Sequence, residues 1–300
     1  MIKRTIYFGN PAYLGKKDEQ LAVYSPKNEF LASIPIEDIG ILLLDHPQIT
    51  VSHSLMGSLL ANNVAFITCD AQHLPTGLML NLNGNHLQSL HFREQISASE
   101  PLKKQLWQQT VKAKLLNQAR HLELRHKEAD SLRRWAKGVK SADSEGHEAR
   151  AAAFYWQRIF APHLPDFRRS REGAPPNGLL NYGYAILRAV VARSLVGSGL
   201  LPTLGIFHRN QYNAYCLADD IMEPYRPFVD AMVLDMIEEG KPFADLGKET
   251  KERLLTIATA DVRIDGENSP LMVGLQRTTA SLVRCFAKES TKILYPEFTK

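Results

Sequence analysis

The feature that most constrains this chain is a change of hydrophobic period near residue 85. Before it, short apolar runs alternate with turn residues: TIYF (5–8), QLAVY (20–24), GILLL (40–44), VAFIT (64–68) and GLMLNL (77–82). Asn10-Pro11, Ser25-Pro26, His46-Pro47 and Leu74-Pro75 separate them, as turns separate strands. SLMGSLLANN (54–63) fits one short helix between strands. After Asn85 proline thins out, and apolar residues such as Leu102, Leu106, Val111, Leu115 and Leu122 recur at helical spacing. The expectation is an α+β chain: a small β-sandwich-like domain over 1–85, then a larger all-α catalytic domain over 92–300.

Length and composition agree with two domains. The chain has 300 residues, 44% apolar and 23% charged, enough for real cores. The apolar stretch 179–207 contains Arg188 and Arg193 and does not read as a membrane span. The start, MIKRTIYFGNPAYL, lacks the pattern of a signal peptide. Cys69, Cys216 and Cys285 are far apart and form no CxxC, which points to a reducing cytoplasm.

Net charge is only +4, but residues 101–140 carry 11 basic and 3 acidic side chains, while 219–267 carry 6 and 13. A basic block of this kind suits phosphate binding, and equally suits the solvated face of an amphipathic helix.

Three segments bear chemistry. In SEGHEARAAAFYWQ (144–157), Ser144 can cap a helix on which Glu145 shares a face with Ala149, Ala152, Ala153 and Trp156. A carboxylate there needs a cation, although helix-dipole stabilisation or a pair with Arg150 would also explain it. In LGIFHRNQYNAYCLADDIMEPYRP (204–227), Asp219, Asp220 and Glu223 can crowd one helical face, and Pro224 ends that helix. His208 could join Glu223 only across a break, placed at Arg209-Asn210-Gln211, because one straight helix would separate them by about 22 Å. A solvated acidic turn beside a core histidine is the plain alternative. In PPNGLLNYGYAILR (175–188), Asn177, Asn181 and Tyr184 punctuate an apolar helix followed by Arg188. Such a face supports a neighbouring site or simply holds satisfied core amides. No phosphate loop, HExxH, GxSxG or GxGxxG occurs.

Together, and behind a β-rich start that includes QLAVYSPKNE, IPIEDIGILLLDHP and CDAQHLPTGLMLNL, these segments resemble the CRISPR-associated integrase of spacer acquisition, the first Cas protein family, in its type II form. The resemblance implies that Glu145, His208 and Glu223 are catalytic and bind Mg²⁺ or Mn²⁺, with Asp220 as an additional acidic neighbour. Glu223 stands where other branches carry aspartate. It further implies an enzyme of CRISPR adaptation that joins 3′-hydroxyl ends of short double-stranded DNA fragments into the repeat array by transesterification, and that cuts branched DNA. The implied partners are a second copy packed through the β-domain and a small ferredoxin-like second Cas protein. Lys140, Arg150, Arg133, Arg134 and Lys137 are the candidate DNA contacts. A non-catalytic DNA-binding scaffold and a stand-alone metal-dependent repair nuclease are the alternatives.

Overall fold

A computed structural model of the chain describes residues 3–299. It contains two compact units, divided between His86 and Leu87. The first is built from strands β1 (Arg4–Phe8), β2 (Ala12–Lys17), β3 (Gln20–Tyr24), β4 (Phe30–Pro35), β5 (Ile39–Leu44), β6 (Ile49–Val51), β7 (Ala65–Cys69) and β8 (Pro75–Met79), with helix α1 (His53–Ala61). One sheet has the order β1-β5-β7-β8, with β8 antiparallel to the other three. The other runs β4-β3-β2-β6. Both contribute to one core, in which Leu14, Leu21 and Val23 meet Ile39, Leu42, Phe66 and Leu55. Strand β5 (IGILLL) is buried along its whole length, which is why it reads as a continuous apolar run. Strands β2, β4 and β6 are absent from the apolar-run reading because AYLGKK and FLASIP are half-polar or exposed and ITV is three residues long.

The second unit comprises α2 (Gln88–Ser97), α3 (Glu100–Leu124), α4 (Asp130–Gly138), α5 (His147–Ile159), α6 (Asn177–Gly197), α7 (Cys216–Met222), α8 (Arg226–Glu238), α9 (Lys248–Leu255) and α10 (Leu271–Phe286). It also holds a hairpin, β9 (Asp261–Ile264) and β10 (Glu267–Pro270), turned at Asp265-Gly266 with both φ angles positive. No helix among the described residues is long and apolar enough to cross a membrane.

The 25-residue α3 is the spine of this unit. Ser99 caps it, its Oγ accepting from the Leu102 amide, and Leu106, Trp107, Val111, Leu115 and Leu122 are buried. Its buried face also carries Lys114, Asn117 and Gln118. Asn117 Nδ2 donates to the carbonyls of Pro224 (2.7 Å) and Pro296 (2.9 Å), and Oδ1 accepts from the Phe298 amide at 3.1 Å. One amide thus ties the turn after α7 to the last described residues.

Candidate metal centre

The acidic helix of the first segment begins later than its sequence suggests. Gly146 takes a left-handed conformation (φ 65°), which glycine adopts without a Cβ penalty, and α5 starts at His147. The cap is Asp143, not Ser144: its carboxylate accepts from the amides of His147 (3.0 Å) and Glu148 (2.9 Å). Glu145 therefore precedes the helix. Its side chain is 44% exposed, 2.5 Å from Lys140 Nζ and 3.3 Å from His147 Nε2. The Lys140 hydrogen bond holds its carboxyl below the usual range.

Glu148, in the first turn of α5, points the other way. Lys114 Nζ donates to its Oε1 at 2.7 Å and lies 2.6 Å from Glu223 Oε2. The buried ammonium of α3 thus bridges α5 and the turn that follows α7. Burial opposes the charge on Lys114, but Glu223 and Glu148 outweigh it and raise its pKa. Glu223 is itself buried; desolvation pushes its pKa up, and Arg226 and Lys114 pull it down to about 2. Arg226 Nε is 2.8 Å from Glu223 Oε1. Glu223 Oε2 accepts no well-angled hydrogen bond, despite the close ammonium.

His208 lies on the loop between α6 and α7, so the break falls where the sequence places it. Its Nδ1 is 2.5 Å from Asp220 Oδ1, and fully buried Asp220 also accepts from the amides of Phe207 (2.9 Å) and His208 (3.2 Å). Gly205 permits this close turn, since a Cβ there would sit 2.4 Å from the His208 carbonyl and 2.8 Å from Asp220 Oδ2. The Asp220 hydrogen bond raises the His208 pKa against burial, with Glu223 and Glu148 adding to it. The imidazole also meets Trp107 and Phe207 edge-on, at 5.5 and 5.4 Å.

The three clustered acids do not share a face. Asp219 pairs with Arg188 (2.6 Å) and Asn213 (2.7 Å), Asp220 holds His208, and Glu223 faces Lys114 and Arg226. Nor does Pro224 end the helical path, because a 3₁₀ turn at Glu223–Tyr225 continues into α8. The structure thus gathers Glu148, Lys114 and Glu223, with His208 in their field, and leaves Glu145 outside. Among the described residues no three His, Cys, Asp or Glu side chains form a ready-made cage. The donor set of two carboxylates and one imidazole nonetheless suits Mg²⁺ or Mn²⁺, and a cation there would take the partner role that Lys114 fills at Glu223 Oε2.

Beside Glu223 lies a cavity of about 220 Å³, lined also by Lys114, Gln118, Trp156, Arg169, Tyr184, Arg226 and Asp230. Asp230 receives Tyr155 Oη (3.0 Å) and Tyr184 Oη, and burial raises its pKa to about 6. Sequence reasoning missed Glu148 and Lys114. Asp143 followed by Gly146 was the available signal for the later helix start; nothing in the sequence marks Lys114 as buried.

The basic stretch is largely spent inside the fold. Lys103, Lys114, Arg120, Arg125 and Arg133 pair with carboxylates, Lys127 donates to the carbonyls ending α5, and Lys140 holds Glu145. Of the candidate DNA contacts, Arg150 lies over Trp135 at 5.7 Å, and Arg134 and Lys137 stay exposed without an ion pair among the described residues.

Comparison with known proteins places this architecture. Residues 6–258 match the family described as CRISPR associated protein Cas1. The CRISPR-associated endonuclease Cas1 of Neisseria meningitidis serogroup C (strain 8013) is 35% identical over 283 residues, which is 94% of this chain and 91% of that protein. A casposase bound to integration product superposes with a TM-score of 0.77 at 20% identity, covering 100% of this chain and 94% of that one. A chain of a Cas6-RT-Cas1–Cas2 complex superposes at 0.75 and 19% identity, over 97% of this chain and 35% of that one. The chain belongs to the CRISPR-associated Cas1 family.

Proposed function

We propose that this chain is a metal-dependent DNA integrase of CRISPR adaptation, with Glu148, His208 and Glu223 holding Mg²⁺ or Mn²⁺. The observation that carries this reading is the convergence of Glu148 and Glu223 on one buried ammonium, with Asp220-oriented His208 beside them. In it, Glu148 takes the role that the resemblance assigns to Glu145. The Neisseria relative, an endonuclease, and the integration product held by the casposase support the reaction class.

In the joining step, the 3′-hydroxyl oxygen of the fragment forms a bond to a phosphorus of the repeat. The phosphorus releases its original 3′ oxygen, so one phosphodiester forms and one breaks. Water in place of the hydroxyl gives cutting of branched DNA. Held by Glu148, His208 and Glu223, a divalent cation would supply Lewis acidity to the phosphoryl group and stabilise the leaving oxygen. The protein's own part is positioning. Asp220 engages His208 Nδ1 and leaves Nε2 as the nitrogen available to ligate. Arg226 and Arg169 line the adjoining cavity with positive charge suited to a phosphate. No enzyme nucleophile is required.

For assembly, the exposed apolar residues Phe30 (59%) and Leu31 (60%) on edge strand β4 offer the β unit a surface for a second copy. The small second Cas protein enters this proposal through the Cas6-RT-Cas1–Cas2 complex, one chain of which superposes on this chain over 35% of its own length. One observation favours the scaffold alternative: Lys114 pairs with both carboxylates and Arg226 adds a second cation at Glu223, so the two acids are already balanced by the protein's own side chains. Incubating the protein and its small partner with a 3′-hydroxyl duplex and a supercoiled repeat plasmid, with and without Mn²⁺, separates the two. Mn²⁺-dependent joined product is expected, and its absence, with intact DNA binding, establishes the scaffold.

A further inference from the structure

The segment 168–172 (Arg-Arg-Ser-Arg-Glu) carries no regular secondary structure, yet its backbone is fastened at Arg168, Ser170 and Arg171. Asn177, 1% exposed at the start of α6, uses its full side-chain capacity on it and on Ala174. Its Nδ2 donates to the carbonyls of Arg168 (2.9 Å) and Ala174 (2.8 Å), and its Oδ1 accepts from the Ser170 amide and Arg169 Nη1, both at 2.9 Å. One turn along, Asn181 Nδ2 donates to the Arg171 carbonyl at 2.7 Å, and Oδ1 accepts from Arg169 Nη2 at 2.7 Å. Gly173 packs against this brace, for a Cβ there would lie 2.6 Å from Asn177 Nδ2.

The result sorts three arginines. Arg169 turns inward, its guanidinium 5.3 Å over Tyr184, and lines the cavity that contains Glu223. Arg168 and Arg171 are exposed, and neither has an ion pair among the described residues, although Asp166 and Glu172 are within two residues of them. This is the reverse of residues 101–140, where most cations are internally matched. Unpaired guanidiniums on a preorganised loop present a fork that fits phosphate, and ordering the loop in advance removes an entropic cost of binding.

We propose that the 168–171 loop is a phosphodiester clamp that leads a DNA backbone from the surface at Arg168 and Arg171 toward Arg169 and the Glu223 cavity, with Asn177 and Asn181 as its positioning residues. The proposal rests on the DNA reading above and names where that DNA is gripped. A polyanionic backbone fits better than an acidic peptide because the inward end of the clamp opens beside the candidate metal centre.

The test measures the affinity of the full chain for a random-sequence 3′-hydroxyl duplex by fluorescence anisotropy across salt concentrations. Arg168→Ala/Arg171→Ala should weaken binding regardless of sequence and flatten the log–log salt slope by about one to two. Arg134→Ala/Lys137→Ala is the comparison and should change it less. Asn181→Ala should weaken binding about threefold to tenfold with the slope kept, because the guanidiniums remain but must be ordered on binding. A merely structural asparagine would lower the melting temperature without this pattern. An unchanged affinity and slope in the Arg168/Arg171 variant, against a DNA-binding wild type, overturns the clamp and leaves the integrase reading standing. A wild type that does not bind duplex overturns both. If the double variant binds DNA normally but loses the small partner protein, the loop is a protein-docking surface and the clamp is overturned.

Discussion

Two acidic stretches, 143–148 and 219–223, have the same composition of roles in different surroundings. Each holds three carboxylates. In each, one accepts backbone amides: Asp143 caps α5, and Asp220 closes the loop around His208. In each, one pairs with a basic side chain away from the centre, Glu145 with Lys140 and Asp219 with Arg188. In each, one reaches Lys114, and these are Glu148 and Glu223. The difference lies in what fixes the geometry. The second stretch is buried throughout, so packing decides which way each acid points. The first lies on a turn with left-handed residues at Ala142, Asp143 and Gly146, so backbone conformation decides it. Acid spacing is a poor guide to function; the partner each acid finds is the informative quantity.

The largest expected effect comes from removing the shared partner. Lys114→Met leaves two carboxylates facing each other without their ammonium, and should cost about 3–5 kcal/mol in metal-free buffer. Denaturant unfolding measures this, and Mn²⁺ should restore more stability to the variant than to wild type. An equal response to Mn²⁺ in both would break the parallel between the two stretches. Next, Glu148→Ala should slow Mn²⁺-dependent joining by about 100-fold or more, since loss even of a ligand's supporting partner costs about 10–100-fold. Glu145→Ala should stay within about twofold. The reverse order in a joining assay would return the role to Glu145.

Asp230 sharpens the comparison as a buried carboxylate held by hydroxyls instead of an ammonium. Its folded pKa of about 6 lies above its ordinary value of 3.8. The folded state therefore keeps its proton after the unfolded chain has lost it, and stability is lost as pH rises from about 4 through 6. The full loss is roughly 3 kcal/mol. Asp230→Asn should remove this component, so the stability difference between wild type and variant should move against wild type over that window. A pH-independent difference would show that Asp230 ionises normally. The smallest effect is Asp143→Ala, which removes the cap of α5 and should cost about 1 kcal/mol in thermal unfolding, with joining reduced as Glu148 loosens.

Much of the fold is legible in the sequence where burial is one-sided and continuous. Strand β5 and helix α1 show as apolar runs, and α3 as a helical stripe. The β9–β10 hairpin was hidden by its four-residue strands, yet Asp265-Gly266 between them is a hairpin signal in plain view. At the candidate site, His208 and Glu223 were named through the family resemblance, and the break between them that a shared site requires is present as the loop before α7. Glu148 was not, because the expected helix included Glu145; its later start at His147 takes Glu145 off the helix and leaves Glu148 as the first-turn acid. Lys114 was hidden for a different reason. Its burial depends on partners 34 and 109 positions away, which no local pattern records.

The amide of Asn117 has a consequence in time rather than in space. Its partners Pro296 and Phe298 follow it by 179 and 181 positions. During synthesis at about 5–20 residues per second, roughly 10–40 s pass between the appearance of α3 and that of the last two partners of its amide. Until then Asn117 can hold Pro224 but not the segment at 296–298, and a chain stalled or clipped before Pro296 would lack two of the three bonds of that buried amide.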